Sequence, residues 1–400
     1  MSWSIPLTDV VISDDDVEAV LACLRSGWLT MGPNVQAFER RFADYVGAPH
    51  AVAVSSGTAA LHLAALAAGV APGDEVIVPN LTFVASAAAP RYCGATPILC
   101  DSTGPHDLNV DPEAVRSLVT ERTRAVIAVH FMGYAADVET LRALCDEHDL
   151  RLIEDTAQGL GARARSGAMA GTVGDLGCYS LFSKKQLSVG EGGMVVTADA
   201  DLAAKVRLLR SHGMTSVTWD RHLGYAETYD VVDIGFNFRM DEPHAALALS
   251  RIERVDDETA IRRARVRRYR EALRGQAAIG VPWSDDDVAR SAHFAFPILL
   301  PDRQTRDRLR SSLAGMGIQT TAYPAITELT AYEASGNGRA LARSADLAQR
   351  HCVLPLSPLM SDADVDAVVR AVVGVLQAGS AGSVQGDGRD QGSASSTAAN

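Results

Sequence analysis

Lysine is scarce in this chain of 400 residues: among 37 basic side chains only Lys184, Lys185 and Lys205 are lysines. Wherever positive charge alone is needed the sequence uses arginine, which stays protonated up to a pKa of roughly 12 and is no amine nucleophile. A lysine amine can lose its proton and attack a carbonyl, so a rare lysine in the right setting is a potential reagent, although arginine-biased codon usage also leaves chance survivors. Basic charge as a whole is short as well. With a net charge of −12 and a pI of ≈ 5.3, the chain lacks the broad basic face that nucleic acid or an anionic membrane requires. No apolar run approaches the ~18 residues of a spanning helix, and Met1 to Leu7 lacks a basic stretch followed by an apolar one. The expectation is a soluble cytoplasmic protein with no nucleic-acid or membrane partner. The cysteines, Cys23, Cys93, Cys100, Cys145, Cys178 and Cys352, show no C-x-x-C spacing and read as buried free thiols rather than disulfides or a metal site.

What is present suits a large globular enzyme or binding protein of about two domains. Apolar residues make up 47% of the chain and charged ones 22%, enough to fill a sizeable core. Short apolar, β-branched runs at residues 51–55, 75–79, 97–100, 125–129, 151–155, 176–182 and 194–198 read as strands. Helical patterns at 58–68, 112–118 and 138–147 fall between them, the last two opened by Asp111 and Asp137 as N-caps. This alternation predicts an α/β domain with a mostly parallel sheet flanked by helices, in which ligands collect at the carboxyl ends of strands. From about Arg251 the texture changes to a long Arg- and acid-rich helix with Ile252, Val255, Val266, Tyr269 and Leu273 on one face and a solvated, ion-paired surface on the other. Residues 294–300, 305–314, 318–322 and 363–376 then suggest a smaller α+β C-terminal domain. The domains expected are 1–250, 251–376 and a disordered, Gly- and Ser-rich tail at 377–400.

Three patches carry chemistry. Ser55-Ser56-Gly57-Thr58 ends a strand and opens a helix, which presents backbone N–H groups and a hydroxyl at the positive helix end, a setting for phosphate. Steric demands of βα turns select the same residues. Arg151-Leu-Ile-Glu-Asp155-Thr-Ala-Gln158 ends a buried strand in a carboxylate pair that can meet a cationic ring nitrogen or a metal, or simply cap the next turn. Tyr179 to Gly193 holds two of the three lysines between an apolar strand and a Gly-rich turn, where partial desolvation lowers an amine's pKa. A lone lysine there is otherwise surface charge.

In this order and with these neighbours, the chain resembles the DegT/DnrJ/EryC1/StrS (sugar) aminotransferases, fold-type I enzymes that use pyridoxal 5′-phosphate (PLP). The matching phrases are Gly27-Trp-Leu-Thr-Met-Gly-Pro33, Phe38-Glu39, Ser56-Gly-Thr-Ala-Ala-Leu61, Thr82-Phe-Val-Ala85, Glu154-Asp-Thr-Ala-Gln158, Ser180 to Gly193, Gly235-Phe-Asn-Phe-Arg-Met240 and Leu354-Pro355-Leu356. They span nearly everything but the tail.

The resemblance implies roles. Ser180 pairs with Lys185 in the family's Ser-x-x-x-x-Lys phrase, so Lys185 is the implied Schiff-base lysine and Lys184 its bystander. Asp155 would face the pyridine nitrogen and Gln158 the phenolic oxygen. Phe83 would stack on the ring, Gly57, Thr58 and Ser180 would hold the phosphate, and Asn237 would reach it from the other subunit of a homodimer with shared active sites. Arg239 is either a structural ion-pair member or a ligand contact. The family's substrate-side His-Tyr reads Ala322-Tyr323 here, which leaves Tyr323 to contact the substrate. The implied reaction moves an amino group from a donor such as glutamate to a nucleotide-linked keto-sugar in amino-sugar biosynthesis. A keto-inositol or other cyclic ketone is an alternative acceptor, and a PLP-dependent dehydratase or aromatase an alternative activity. Gly159-Leu-Gly161-Ala-Arg-Ala164 also fits the G-x-G-x-x-A fingerprint of an NAD-dependent oxidoreductase, but residues 165–175 lack the apolar stripe of the helix it requires.

Overall fold

The computed structural model describes residues 3–332 and 341–384. Its strands are β1 (His50–Val54), β2 (Glu75–Pro79), β3 (Thr96–Cys100), β4 (Ser102–Gly104), β5 (Asp107–Val110), β6 (Thr123–Val129), β7 (Arg151–Asp155), β8 (Leu176–Ser180), β9 (Gly193–Thr197), β10 (Phe296–Leu299) and β11 (His351–Leu354). Seven of them form one sheet in the order β1-β9-β8-β7-β6-β2-β3. From β3 through β8 the pairing is parallel, and β9 runs antiparallel to both its neighbours. Helices cover both faces, which is why the central strands read as continuous apolar runs: in β7, Leu152 and Ile153 are wholly buried. All seven expected strands are present with ends displaced by one or two residues at most.

Local chemistry starts the helices where it should. Asp111 accepts the N–H of Glu113 and Asp137 that of Thr140, as the N-cap reading requires. The long helix expected from Arg251 is instead two, Glu242–Ile252 and Val255–Leu273, broken at Glu253 and Arg254. Its apolar face is buried as predicted, but its arginines are not all solvated. Arg251, Arg262 and Arg270 are buried, and Arg270 compensates by donating to the carbonyls of Pro282 and Trp283 at 3.0 and 2.8 Å.

In the C-terminal part β10 and β11 pair antiparallel beside the helices Arg303–Gly315, Ala342–Arg350 and Asp362–Val384. The extended run expected at 318–322 makes only single bridges, Ile5 to Ile318 and Thr321 to Val353. The N-terminal segment therefore joins the C-terminal part, with Ser4 and Ile5 donating to the Gly317 carbonyl and Leu7 to the Gln319 side chain. Residues 377–384, expected to be without structure, continue the final helix to Val384, because extending a formed helix is far easier than nucleating one. Residues 385–400 of that tail lie outside the described residues. Among the described residues no helix is long and apolar enough to cross a membrane, no group of three or more His, Cys, Asp or Glu could hold a metal, and the six cysteines are free and buried.

Candidate active site

A cleft of ≈ 450 Å³ lies at the carboxyl ends of the central strands, with Thr321, Tyr323 and Leu354 of the C-terminal part on its far side and Leu7 and Thr8 beside them. Its walls bring together Gly57, Thr58, Phe83, Asp155, Gln158, Ser180, Lys185 and Tyr323. Asn237 and Arg239 stand outside it.

The phosphate turn is open for a ligand. Ser56 caps the helix Gly57–Ala67 by accepting the Ala59 N–H at 3.1 Å, which leaves the N–H groups of Gly57 and Thr58 at the positive helix end without intrachain partners among the described residues. Two glycines make the close approach possible. A Cβ on Gly57 would stand 2.8 Å from the Ser180 Cβ, and one on Gly193 would stand 2.4 Å from the Ser56 carbonyl oxygen.

The two carboxylates at the end of β7 divide their work. Glu154 is structural: its oxygens accept from the backbones of Gly171, Val173 and Gly174 and from His130 Nε2, whose Nδ1 is occupied by the Ala136 N–H. Asp155 faces the cleft. Ser86 Oγ donates to its Oδ2 at 2.6 Å and the Ala157 N–H to its Oδ1 at 3.1 Å. Burial pushes the Asp155 carboxyl above its ordinary pKa, while Ser86, Ala157 and the Lys185 charge pull the other way. A cationic group in the cleft would relieve that penalty.

Lys185 is half-buried, and its Nζ sits 4.5 Å from the centre of the Phe294 ring. Although part of the residue meets solvent, its amine is crowded enough that burial brings its pKa down to about 8 against the opposing pull of Asp155. Lys184 points to solvent at the cleft edge, and Lys205 lies outside the cleft on the helix Ala200–Arg210.

Gln158 is buried, and its Oε1 accepts the Met132 N–H at 2.7 Å, so its NH₂ is the end left to donate into the cleft. Phe83 is exposed on the cleft wall, an aromatic face free to take a planar ring. Tyr323 packs edge-on against Phe131, and burial raises its phenol to about 12. Its N–H donates to Nε2 of the buried His351, whose Nδ1 donates to the Leu347 carbonyl; that neutral imidazole is held down to about 4, chiefly by burial.

Asn237 is exposed and does not line the cleft of its own chain. Arg239 makes no ion pair among the described residues. Its Nη1 is buried without a partner, and burial together with Arg210 lowers its pKa. Ser86, Phe294 and His351 were not foreseen from the sequence. Ser86 sits in an Ala-rich helix, Phe294 opens a run that reads as core strand, and only the tertiary fold places them.

A buried carboxylate, a partly desolvated amine, an exposed ring and a glycine-lined helix terminus are the donor set that PLP requires, so the residues fit the cofactor. Comparisons with known proteins agree. The sequence profile of the DegT/DnrJ/EryC1/StrS aminotransferase family matches residues 10–373. GDP-perosamine synthase of Caulobacter vibrioides is 36% identical, over 91% of this chain and 96% of that protein. The aminotransferase TlmJ from Streptoalloteichus hindustanus superposes with a TM-score of 0.86 at 30% identity, covering 94% of this chain and 99% of the other. Spr1654 from Streptococcus pneumoniae in its PLP form gives a TM-score of 0.85 at 25% identity, covering 94% and 99%. Residues 159–175, by contrast, contain no helix, so the dinucleotide fingerprint lacks the element it needs.

Proposed function

Because the chain belongs to the DegT/DnrJ/EryC1/StrS aminotransferase family and is a PLP-dependent sugar aminotransferase, we propose that its acceptor is a nucleotide-linked keto-sugar, that glutamate is its amino donor, and that two copies share their active sites. The observation that carries this reading is the convergence of Lys185, Asp155 and the open phosphate turn on the walls of one cleft.

Each residue has a task in it. Bound PLP supplies an electron sink for the negative charge that develops when the donor's Cα loses its proton. Asp155 keeps a proton on the pyridine nitrogen, Gln158 donates to the phenolic oxygen, and Phe83 fixes the ring plane. The Gly57 and Thr58 N–H groups and the Ser180 hydroxyl hold the phosphate. Lys185, whose amine burial brings down to about 8, would take the proton from the donor's Cα as a general base and give one to the acceptor carbon as a general acid on the return half. Tyr323 orients the acceptor from the C-terminal side.

The division into a cofactor-holding part, residues 1–250, and an acceptor-side part, residues 251–376, belongs to the same reading, except that residues 4–7 hydrogen-bond to the acceptor-side part. Shared sites are supported by two features. Asn237 is exposed and does not line the cleft of its own chain, and the preceding residues Val232 and Ile234 are exposed apolar side chains, with Ile234 84% exposed, suited to a second copy.

A panel of keto-sugar nucleotides and keto-inositols, offered to enzyme first converted by glutamate, identifies the acceptor: the proposed class restores the PLP spectrum, and restoration by keto-inositols alone contradicts it. Mixing Lys185→Ala with Asn237→Ala protein restores some activity if sites are shared. No recovery in verified mixed dimers contradicts that arrangement.

A further inference from the structure

One buried turn touches three separate walls of the cleft. After β6 the chain passes through Met132 at φ 58° and Gly133 at φ 90°, two successive residues in the left-handed region, which for methionine is a strained conformation. A strained turn persists only where its surroundings hold it. Here the holder is Asn109, a fully buried amide on β5. Its Oδ1 accepts the Phe131 N–H at 3.0 Å, and its Nδ2 donates to the carbonyls of Tyr134 and Ala135, each at 3.3 Å, so one side chain clamps both ends of the turn.

From this clamp the contacts run into the site. The Met132 N–H donates to Gln158 Oε1 at 2.7 Å. The Phe131 ring meets Tyr323 edge-on at 5.4 Å. The carbonyls of Gly133 and Met132 accept the N–H groups of Ala292 and Ala295, on either side of the Phe294 that covers Lys185, and a Cβ on Gly133 would come within 2.8 Å of the Phe294 nitrogen.

We propose that this turn, clamped by Asn109, is the positioning element that fixes the Gln158 amide with its NH₂ toward the cofactor, and thereby sets the pH at which bound PLP loses the proton shared between its phenolic oxygen and the nitrogen that links it to Lys185. An amide whose oxygen is occupied presents donors, and a donor favours the deprotonated phenolic oxygen, which lowers that pH. Asn109 touches neither substrate nor cofactor and acts through the turn. The proposal rests on the reading that Gln158 faces the phenolic oxygen.

The test is a pH titration of the visible absorption of the full-length, PLP-loaded protein without amino donor, for wild type, Gln158→Ala, Asn109→Ala and Asn109→Asp. The aspartate variant keeps the acceptor for Phe131 and loses both donors, so it stays informative if the alanine variant fails to fold. Gln158→Ala is expected to raise the midpoint by ~1 pH unit, tenfold in the equilibrium, and the Asn109 variants by at least about half a unit. In parallel, hydrogen exchange of the Met132 amide should quicken in the Asn109 variants. A folded Asn109 variant that titrates with wild type while Gln158→Ala shifts would overturn the positioning role and leave the site assignment standing. If Gln158→Ala itself does not shift, the reading of Gln158 is wrong and the proposal falls with it. Protein that binds no PLP would count instead against the whole site.

Discussion

The Lys185 Nζ lies 4.5 Å from the centre of the Phe294 ring, and the two residues reach the cleft from different parts of the fold. The ring face favours the ammonium, and burial, outweighing the charge of Asp155, brings the amine to about 8. Only the neutral amine attacks an aldehyde. The rate at which protein freed of cofactor captures PLP should therefore rise with pH and level off with a midpoint near 8. A rate still climbing at pH 10 would show an ordinary, solvated lysine.

Lys184 and Lys185 separate cleanly by environment, one exposed and one enclosed beside Asp155. Lys185→Ala should abolish the adduct that borohydride traps between protein and PLP, and Lys184→Ala should leave it in place. Mass spectrometry of the reduced protein decides; an adduct on residue 184 would place the reactive amine one residue early.

Ser86 keeps Asp155 an acceptor. Removing its 2.6 Å hydrogen bond leaves a buried carboxylate with one partner fewer, a loss of about 1–1.5 kcal/mol or ~5- to 10-fold in cofactor retention. Equilibrium dialysis of Ser86→Ala against PLP measures it. Wild-type retention would mean that the hydroxyl does not matter to the carboxylate.

Gly193 sits where the backbone of the phosphate turn passes closest. A Cβ there would meet the Ser56 carbonyl oxygen at 2.4 Å and the Gly57 nitrogen at 2.8 Å, both backbone atoms that cannot swing aside. Gly193→Ala should weaken PLP at least ~10-fold while pyridoxal, which lacks the phosphate, loses little, since the damage is confined to the anion-binding helix end. Equal losses for the two would place the damage elsewhere.

How far the sequence could be read follows from where each signal lives. β7 and its terminal Asp155 were legible because a buried parallel strand is a continuous apolar run ended by polar residues. The caps at Asp111 and Asp137 were legible because capping is local. The helices Asp14–Ser26 and Pro33–Val46 went unread, although Ser13 and Asp16 form a capping box that announces the first one. β11 is four residues, too short for a strand alternation to show. In the site, motif order carried Lys185, Asp155 and the phosphate turn. Ser86, Asn109 and His351 could not be found that way, because each matters only through a partner far off in sequence: 69 residues from Asp155, 22 from Phe131 and 28 from Tyr323.

The central claim is that Lys185, Asp155 and the phosphate turn make this cleft a PLP site that exchanges amino groups. Purified protein supplied with PLP and scanned in the visible range tests it most directly. It should be yellow, glutamate should bleach it to the pyridoxamine phosphate form, and a nucleotide-linked keto-sugar should return the colour. Protein that stays colourless with PLP, or yellow protein that glutamate leaves unchanged while the Lys185 adduct is intact, would contradict the account.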